Sequence, residues 1–323
     1  VAACMLFTLV MPGFSLTYPV GEGQDVMGQV QYVHANKGDR LYKVARHYEM
    51  GFYELIEANP DINRHSPISP EYTILIPSEF VLPNVERKGI VINLPELRLY
   101  YFMKNGEVRT EPIAIGRYNW DTPTIKTTVV QKRKNPRWYV PKSIQEAGAR
   151  KGIFYPDVVA AGPKNPLGKF ALKLGSRSYL IHGTNNPTTI GKRASSGCMR
   201  MYPEDIEKLF AQVPVGTPVH IIDQHYKLGW KNNKLYLEVH EPLYETAKPE
   251  TEQVHEITGL IRQMTQARAI TINWPKVRDL IERPSGVPAV ISQSVGYRTQ
   301  DYTGYYQDHP SVSGSIELVN RQP

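Results

Sequence analysis

Between Lys88 and Ile222 the chain is a succession of short apolar runs, each interrupted by glycine, proline or charge before it reaches the length of an ordinary helix. That punctuation narrows the fold more than any other feature. GIVINLPELRLYYF reads as two β-rich segments joined across Leu94-Pro95-Glu96, a hairpin pattern. Val108 to Gly116, Ile125 to Val130, Tyr179 to His182 and Pro218 to Ile222 continue the series. Helices are expected only at Ser143 to Lys151 and Pro203 to Gln212 in this region. Pro203 suits a first helical position, and Glu204 and Asp205 favour the positive end of the helix. The fold expected is mainly β, a sandwich or barrel.

A smaller unit precedes it. Gln31 to Ala35 reads as a strand and Lys37-Gly38-Asp39 as a turn, after which Leu41, Val44, Ala45 and Tyr48 fall at helical spacing. A second amphipathic piece with Phe52, Leu55 and Ile56 stops at Asn59-Pro60, and Tyr72 to Ile76 is a strand closed by Pro77. This βααβ order, carried by YVHANKGDRLYKVARHY, ELIEANPDIN and ILIP, resembles a LysM module. The resemblance implies binding to the N-acetylglucosamine-containing glycans of peptidoglycan or chitin. Arg40 and Glu71 depart from the usual Thr or Ser and Gly, and neither touches the hydrophobic pattern.

Beyond the β region, WKNNKLYLEV should form a hairpin turning at Asn232-Asn233, and Ile257, Leu260, Ile261 and Met264 share a helical face. The polar tail should be mobile or attached to the surface. The domains read in this way are an export-signal remnant at 1–16, the LysM-like unit at 30–78 and the main β domain at 88–223. A C-terminal extension of hairpin plus helix follows at 224–284, with a mobile tail at 285–323.

The export reading rests on an apolar start with no charge before Glu22 and on Gly13-Phe14-Ser15, whose small residues one apart suit signal peptidase. The stretch is shorter than the ~20 apolar residues of a transmembrane helix. Cys4 in VAAC resembles a lipobox, but the apolar stretch continues past it. The expected compartment is the periplasm. A net charge of +7 calls for an anionic partner, which charge alone leaves as nucleic acid, membrane surface or acidic wall polymer. Export removes nucleic acid, and Lys132-Arg133-Lys134 reads as a solvated face near a substrate groove.

Export also singles out Cys198 in SSGCMRM. Once the start is removed it is the only cysteine, so it has no internal disulfide partner. A buried inert thiol is one reading, since free cysteine is often buried. A reactive thiol is the other, and an oxidising compartment disfavours an idle one. His182 in IHGTNNPTTIG ends a strand sixteen residues earlier, and Gly183 and Gly197 allow close backbone approach. A thiol with a pKa of ~8.5 needs help to ionise at neutral pH. His182 would remove the proton or hold the thiolate in an ion pair, with a local carbonyl orienting its other nitrogen. Arg200 should point to the same side as Cys198 on an extended segment. It either recognises a substrate carboxylate or forms a structural salt bridge with Glu204 or Asp205. No zinc spacing links Cys198 to the scattered histidines, so neither metal nor cofactor is expected.

HGT, the sixteen-residue step and S-x-G-C-x-R together resemble the active-site motif of YkuD-type L,D-transpeptidases. IAIGRYNWDTPT, NPRWYVP and AAGPKNPLGKFALKL extend the resemblance to the LysM-containing enterobacterial subgroup, over residues 30 to 243. It implies Cys198 as nucleophile, His182 as base and the Gly183 carbonyl as the group that orients it. Backbone N–H groups of Gly197 and Cys198 would form the oxyanion hole, and Arg200, Ser195 and Ser196 would bind substrate. Ser196 stands where many relatives have His, which concentrates the base role on His182. The implied reaction takes the acyl group of a peptidoglycan stem tetrapeptide, releases D-Ala and passes the acyl group to an amine. Another stem peptide as acceptor gives a 3→3 crosslink; an outer-membrane lipoprotein lysine gives a tether to the wall. Partners are thus stem peptides and glycan strands, the enzyme is expected to be a monomer, and carbapenems should acylate it.

Papain-like wall hydrolases place Cys before His, and sortases use a longer gap. An L,D-carboxypeptidase, with water as acceptor, and a non-catalytic LysM wall-binding protein remain as alternatives. The C-terminal extension is expected to cap the active-site groove.

Overall fold

A computed structural model describes residues 16–294 apart from 22 and 177–178. The apolar start with Cys4 and the sequence beyond 294 lie outside the described residues. The chain is mainly β. Its largest sheet has the strand order Leu16–Pro19, Glu107–Pro112, Arg98–Phe102, Gly89–Asn93, Pro218–Ile222, Ile125–Lys134, Phe170–Leu174, Leu180–His182, Met199–Arg200. Neighbours are antiparallel except at Gly89–Asn93 with Pro218–Ile222 and at Leu180–His182 with Met199–Arg200. Leu16, read as the end of the export signal, pairs with Thr110 at the sheet edge.

Ile125–Lys134 joins the two halves of the sheet. Its first residues pair with Pro218–Ile222 and its last with Phe170–Leu174, and the register shifts between Val129 and Gln131. An extra residue there bends the strand and redirects its second half.

Successive strand residues face opposite sides. Ile90, Ile92, Leu99 and Tyr101 enter one core with Ile181, Met199 and Met201. Val91, Tyr100 and Val108 enter a second core on the other face, shared with the LysM-like unit. Burial on both faces explains why these strands read as unbroken apolar runs.

The LysM-like unit has the order Gln31–His34, helix α1 (Leu41–His47), helix α2 (Phe52–Ala58) and Thr73–Ile76. Its two strands pair antiparallel from Gln31↔Ile76 to His34↔Thr73. The unit is fastened to the main sheet by a buried ion pair. Arg98 donates from Nε at 3.0 Å and from its terminal nitrogen at 2.6 Å to Glu54 of α2.

In the main domain, α3 is Lys142–Ala149 and α4 is Pro203–Gln212, the latter at the bounds its proline and acidic first turn indicate. The C-terminal hairpin, Tyr226–Lys231 with Lys234–Val239, turns through Asn232 and Asn233 at φ 50° and 60°. Two central residues at positive φ mark a type I′ turn, for which asparagine is suited. Helices α5 (Glu250–Thr265) and α6 (Trp274–Glu282) pack Ile257, Ile261, Val277 and Leu280 onto this hairpin. Leu260, read as part of the buried face, is 40 % exposed, whereas Ile257 and Ile261 are buried in the core shared with the hairpin and α6. Ala289–Val290 pairs with the hairpin and Ser292–Ser294 with Ile270–Ile272, so ordered structure continues past residue 285, where the mobile tail was expected to begin.

A buried ionic cluster joins all three units. Lys227 Nζ lies 2.5 Å from Glu96 and 2.8 Å from Glu238. His240 lies 2.7 Å from Glu238 and 3.4 Å from Glu57 of α2.

Candidate active site

The parallel pairing of Leu180–His182 with Met199–Arg200 brings two segments sixteen residues apart into one register, Ile181 beside Met199 and His182 beside Arg200. Cys198 immediately precedes the second strand. Its free, half-buried thiol and the His182 ring line one cleft of about 1340 Å³. Ser195, Ser196 and Arg200 line the same cleft.

His182 is 3 % exposed. Its Nδ1 lies 2.6 Å from the Gly183 carbonyl oxygen. A carbonyl only accepts, so Nδ1 carries the proton and Nε2 is the basic nitrogen. Burial lowers the imidazole pKa to about 4, helped by the charge of Arg200 and opposed by the carbonyls of Gly183 and Leu167. Burial pushes the Cys198 thiol up, while a backbone hydrogen bond at Leu180 and the charge of Arg200 pull it down. Both shifts favour a neutral thiol and a neutral imidazole in the same cleft. Of the two ways in which His182 could help the thiol, the electrostatics favour proton removal during attack over a standing ion pair.

The turn carrying Cys198 is braced from within. Ser195, 1 % exposed, donates from Oγ to the Cys198 carbonyl at 2.5 Å and accepts from the Gly197 N–H at 3.1 Å. Ser195 thus holds the turn while also lining the cleft, and the Gly197 N–H donates to its hydroxyl. Gly197 itself has φ +102°, where a side chain is strained, and an added Cβ would meet the Tyr179 ring at 3.1 Å.

Thr122 ties this turn to the neighbouring loop, donating to the Gly197 carbonyl at 2.8 Å and accepting from Gly116 N–H at 3.0 Å. Ile115 and Gly116 pair in parallel with Arg193 and Ser195. Thr122 and Arg117 are residues that the sequence reading missed. Both lie in IAIGRYNWDTPT, which carries the family resemblance, but their roles depend on a pairing between distant loops.

Arg200 is not in a salt bridge with Glu204 or Asp205. Those two carboxylates face Arg46 of α1. Arg200 Nε is buried without a hydrogen-bond partner among the described residues. Ser196 Oγ accepts a hydrogen bond from Arg117 at 3.1 Å. Among the described residues, seven lysine and arginine side chains line the cleft and no aspartate or glutamate does. Arg133, from the basic run, is one of them.

No described residue beyond Arg200 lines the cleft, so the described part of the C-terminal extension does not cap it. It braces the segment that leads to Cys198 from outside. Glu245 receives two hydrogen bonds from Arg193, at 2.8 and 2.6 Å, and Arg193 also contacts Asp121 at 3.1 Å.

The residues best placed to share a cation are Glu96, Glu238 and His240 of the buried cluster. Lys227 already stands among these carboxylates and supplies the positive charge that a metal would bring. The donor set therefore fits an ion-pair network better than a metal centre.

A family model of the YkuD L,D-transpeptidase catalytic domain matches residues 87–221, which hold the cleft, His182 and Cys198. The probable L,D-transpeptidase YcfS of Escherichia coli K12 is 40 % identical over 245 residues, 73 % of this chain and 76 % of that protein. The probable L,D-transpeptidase ErfK/SrfK of Salmonella typhimurium LT2 is 36 % identical over 88 % of this chain and 95 % of its own length. For the probable L,D-transpeptidase YbiS of Escherichia coli K12 the figures are 38 %, 85 % and 91 %. Similarity of this extent runs through all three units, and on it the chain belongs to the L,D-transpeptidase family.

Proposed function

We propose that this transpeptidase acts on bacterial peptidoglycan, with Cys198 as nucleophile and His182 as general base. Cys198 Sγ attacks the carbonyl of the third residue of a stem tetrapeptide as His182 Nε2 takes the thiol proton. The Cys198 N–H is the donor for the developing oxyanion, since the Gly197 N–H is engaged by Ser195. The bond to the terminal D-Ala breaks, and the imidazolium returns its proton to the leaving amine. An acceptor amine then attacks the thioester, its proton passes to His182, and the thiol is regenerated. The Gly183 carbonyl keeps the ring in the tautomer that both half-reactions require.

The observation that carries this reading is the meeting of Cys198 and His182 in one cleft that, among the described residues, is lined by cations and no carboxylate. Stem peptides are acidic, and the lining complements them. Glycan strands would bind the LysM-like unit, and the enzyme would work in the periplasm as a monomer. The acceptor amine is that of a second stem peptide, giving a 3→3 crosslink, or a lysine of an outer-membrane lipoprotein.

Incubation with purified disaccharide-tetrapeptide, followed by mass spectrometry, tests the reaction. Loss of D-Ala and appearance of a crosslinked dimer, both absent in Cys198→Ala, are expected. An unchanged donor with wild-type protein would sink the reading for that donor. D-Ala loss without a dimer would mark water as the acceptor and make the enzyme a carboxypeptidase.

A further inference from the structure

We propose that Arg117 and Arg200 together form a receptor for two carboxylates, so that the preferred acyl donor carries one on each side of the bond it loses. For a stem peptide these are the terminal carboxylate of the leaving residue and the side-chain carboxylate of a diamino acid at position three. The inference rests on the acyl transfer proposed above and names what its donor must carry.

The two guanidiniums reach the nucleophile from different parts of the chain. Arg200 lies two residues beyond Cys198. Arg117 arrives from the neighbouring loop and contacts the turn before Cys198, donating to Ser196 Oγ at 3.1 Å and to the Ser195 carbonyl at 3.4 Å. Both line the cleft. Arg117 is held over the Trp120 ring, 4.7 Å from its centroid, which limits the orientations of its planar head.

Neither has an acidic partner among the described residues, although acids are close in sequence to both. Asp121 contacts Arg193, as does Glu245, and Glu204 and Asp205 face Arg46. Arg200 Nε is buried without a hydrogen-bond partner among the described residues. Burial lowers the Arg200 pKa, and the like charge of Arg117 lowers it further. Two neighbouring cations, one largely withdrawn from water, are unfavourable unless an anion completes them. A carboxylate fits the guanidinium fork with paired hydrogen bonds. None of these acids pairs with Arg117 or Arg200, so the anion comes with the ligand.

Alkylation of Cys198 tests the receptor without requiring turnover. Iodoacetate and iodoacetamide deliver nearly the same group to the thiol, one with a carboxylate and one without. Rates are read by intact-protein mass, and their ratio is divided by the ratio for free cysteine. Wild-type protein should favour iodoacetate about tenfold on this scale, as expected for a carboxylate near two partly screened cations. Arg117→Gln should cut the preference severalfold, Arg117→Lys should retain most of it, and 0.5 M salt at about a 4 Å Debye length should erode it. A wild-type ratio equal to that of free cysteine, or one unmoved by Arg117→Gln, overturns the receptor. In the donor arm, tetrapeptide with an amidated diamino-acid side chain should release D-Ala more slowly than the free acid, and Arg117→Gln should remove the difference. D-Ala release with equal rates for the two donors defeats the receptor and leaves the transpeptidase reading standing. An iodoacetate preference that Arg117→Gln removes, with no D-Ala release from any donor, supports the receptor and defeats that reading.

Discussion

At neutral pH the His182 imidazole is unprotonated by a wide margin, because burial and the charge of Arg200 bring its pKa to about 4. A general base works only while unprotonated, so activity should persist as pH falls through the usual histidine range and decline only near 4. The acid limb of the kcat/KM profile for D-Ala release is the measurement; a limb at about 6.5 would contradict the burial argument. Arg200→Gln should move the limb upward, since it removes a charge that lowers the pKa. His182→Ala should lower the rate by roughly 10²–10⁴-fold, the usual worth of general base catalysis. Ser195→Ala should leave the Gly197 N–H without its side-chain partner, reducing both thermal stability and rate; an unpaired buried group costs about 1–3 kcal/mol. Cys198 and His182 were legible because each carries its context in its own segment: a lone thiol or a strand-end imidazole, flanked by glycine. The roles of Ser195, Arg117 and Thr122 were not, because they depend on which loops meet.

The loop between His182 and Cys198 leans on the LysM-like unit. Gly191 sits at φ +71°, and a Cβ there would lie 2.1 Å from the Phe52 backbone nitrogen. Tyr53 N–H donates to the Gly191 carbonyl at 3.1 Å. Gly191→Ala must therefore push α2 and the catalytic loop apart. A lower melting temperature and a lower kcat are expected together, and a variant with wild-type values of both would show the contact to be dispensable. The Arg98–Glu54 pair belongs to the same joint. Glu54→Gln leaves a buried guanidinium uncompensated and should cost about 3–5 kcal/mol in denaturant unfolding, much of it recovered by pairing Glu54→Leu with Arg98→Met. Elements with local cues were readable: Pro203 and its acidic followers mark α4, and Asn232-Asn233 marks the hairpin turn. The exposure of Leu260 was not, since helical periodicity defines a face without saying how much of it a neighbour covers.

Across the whole molecule, the three units are joined by charge buried between them. These groups are scattered over a helix, a turn and several strands of different units, so no run of sequence announces their meeting. Burial opposes the charge on His240, but Glu238 and Glu57 outweigh it and raise the pKa to about 10. The folded state therefore holds this proton more tightly than the unfolded chain. Its contribution to stability is complete below about pH 6.5 and is lost as pH rises through 10. The melting temperature should fall across that window more steeply in wild type than in His240→Gln, and equal slopes would exclude His240 as the cause. This joined frame holds the strands that bring Cys198 and His182 into one cleft, where the proposed covalent chemistry would take place. The most direct test is rapid quenching of the enzyme with disaccharide-tetrapeptide, followed by intact and peptide-level mass spectrometry. The account predicts a transient thioester of the donor, less D-Ala, on Cys198 that disappears when an amine acceptor is added. Release of D-Ala with no adduct, or with an adduct on any other residue, would contradict it.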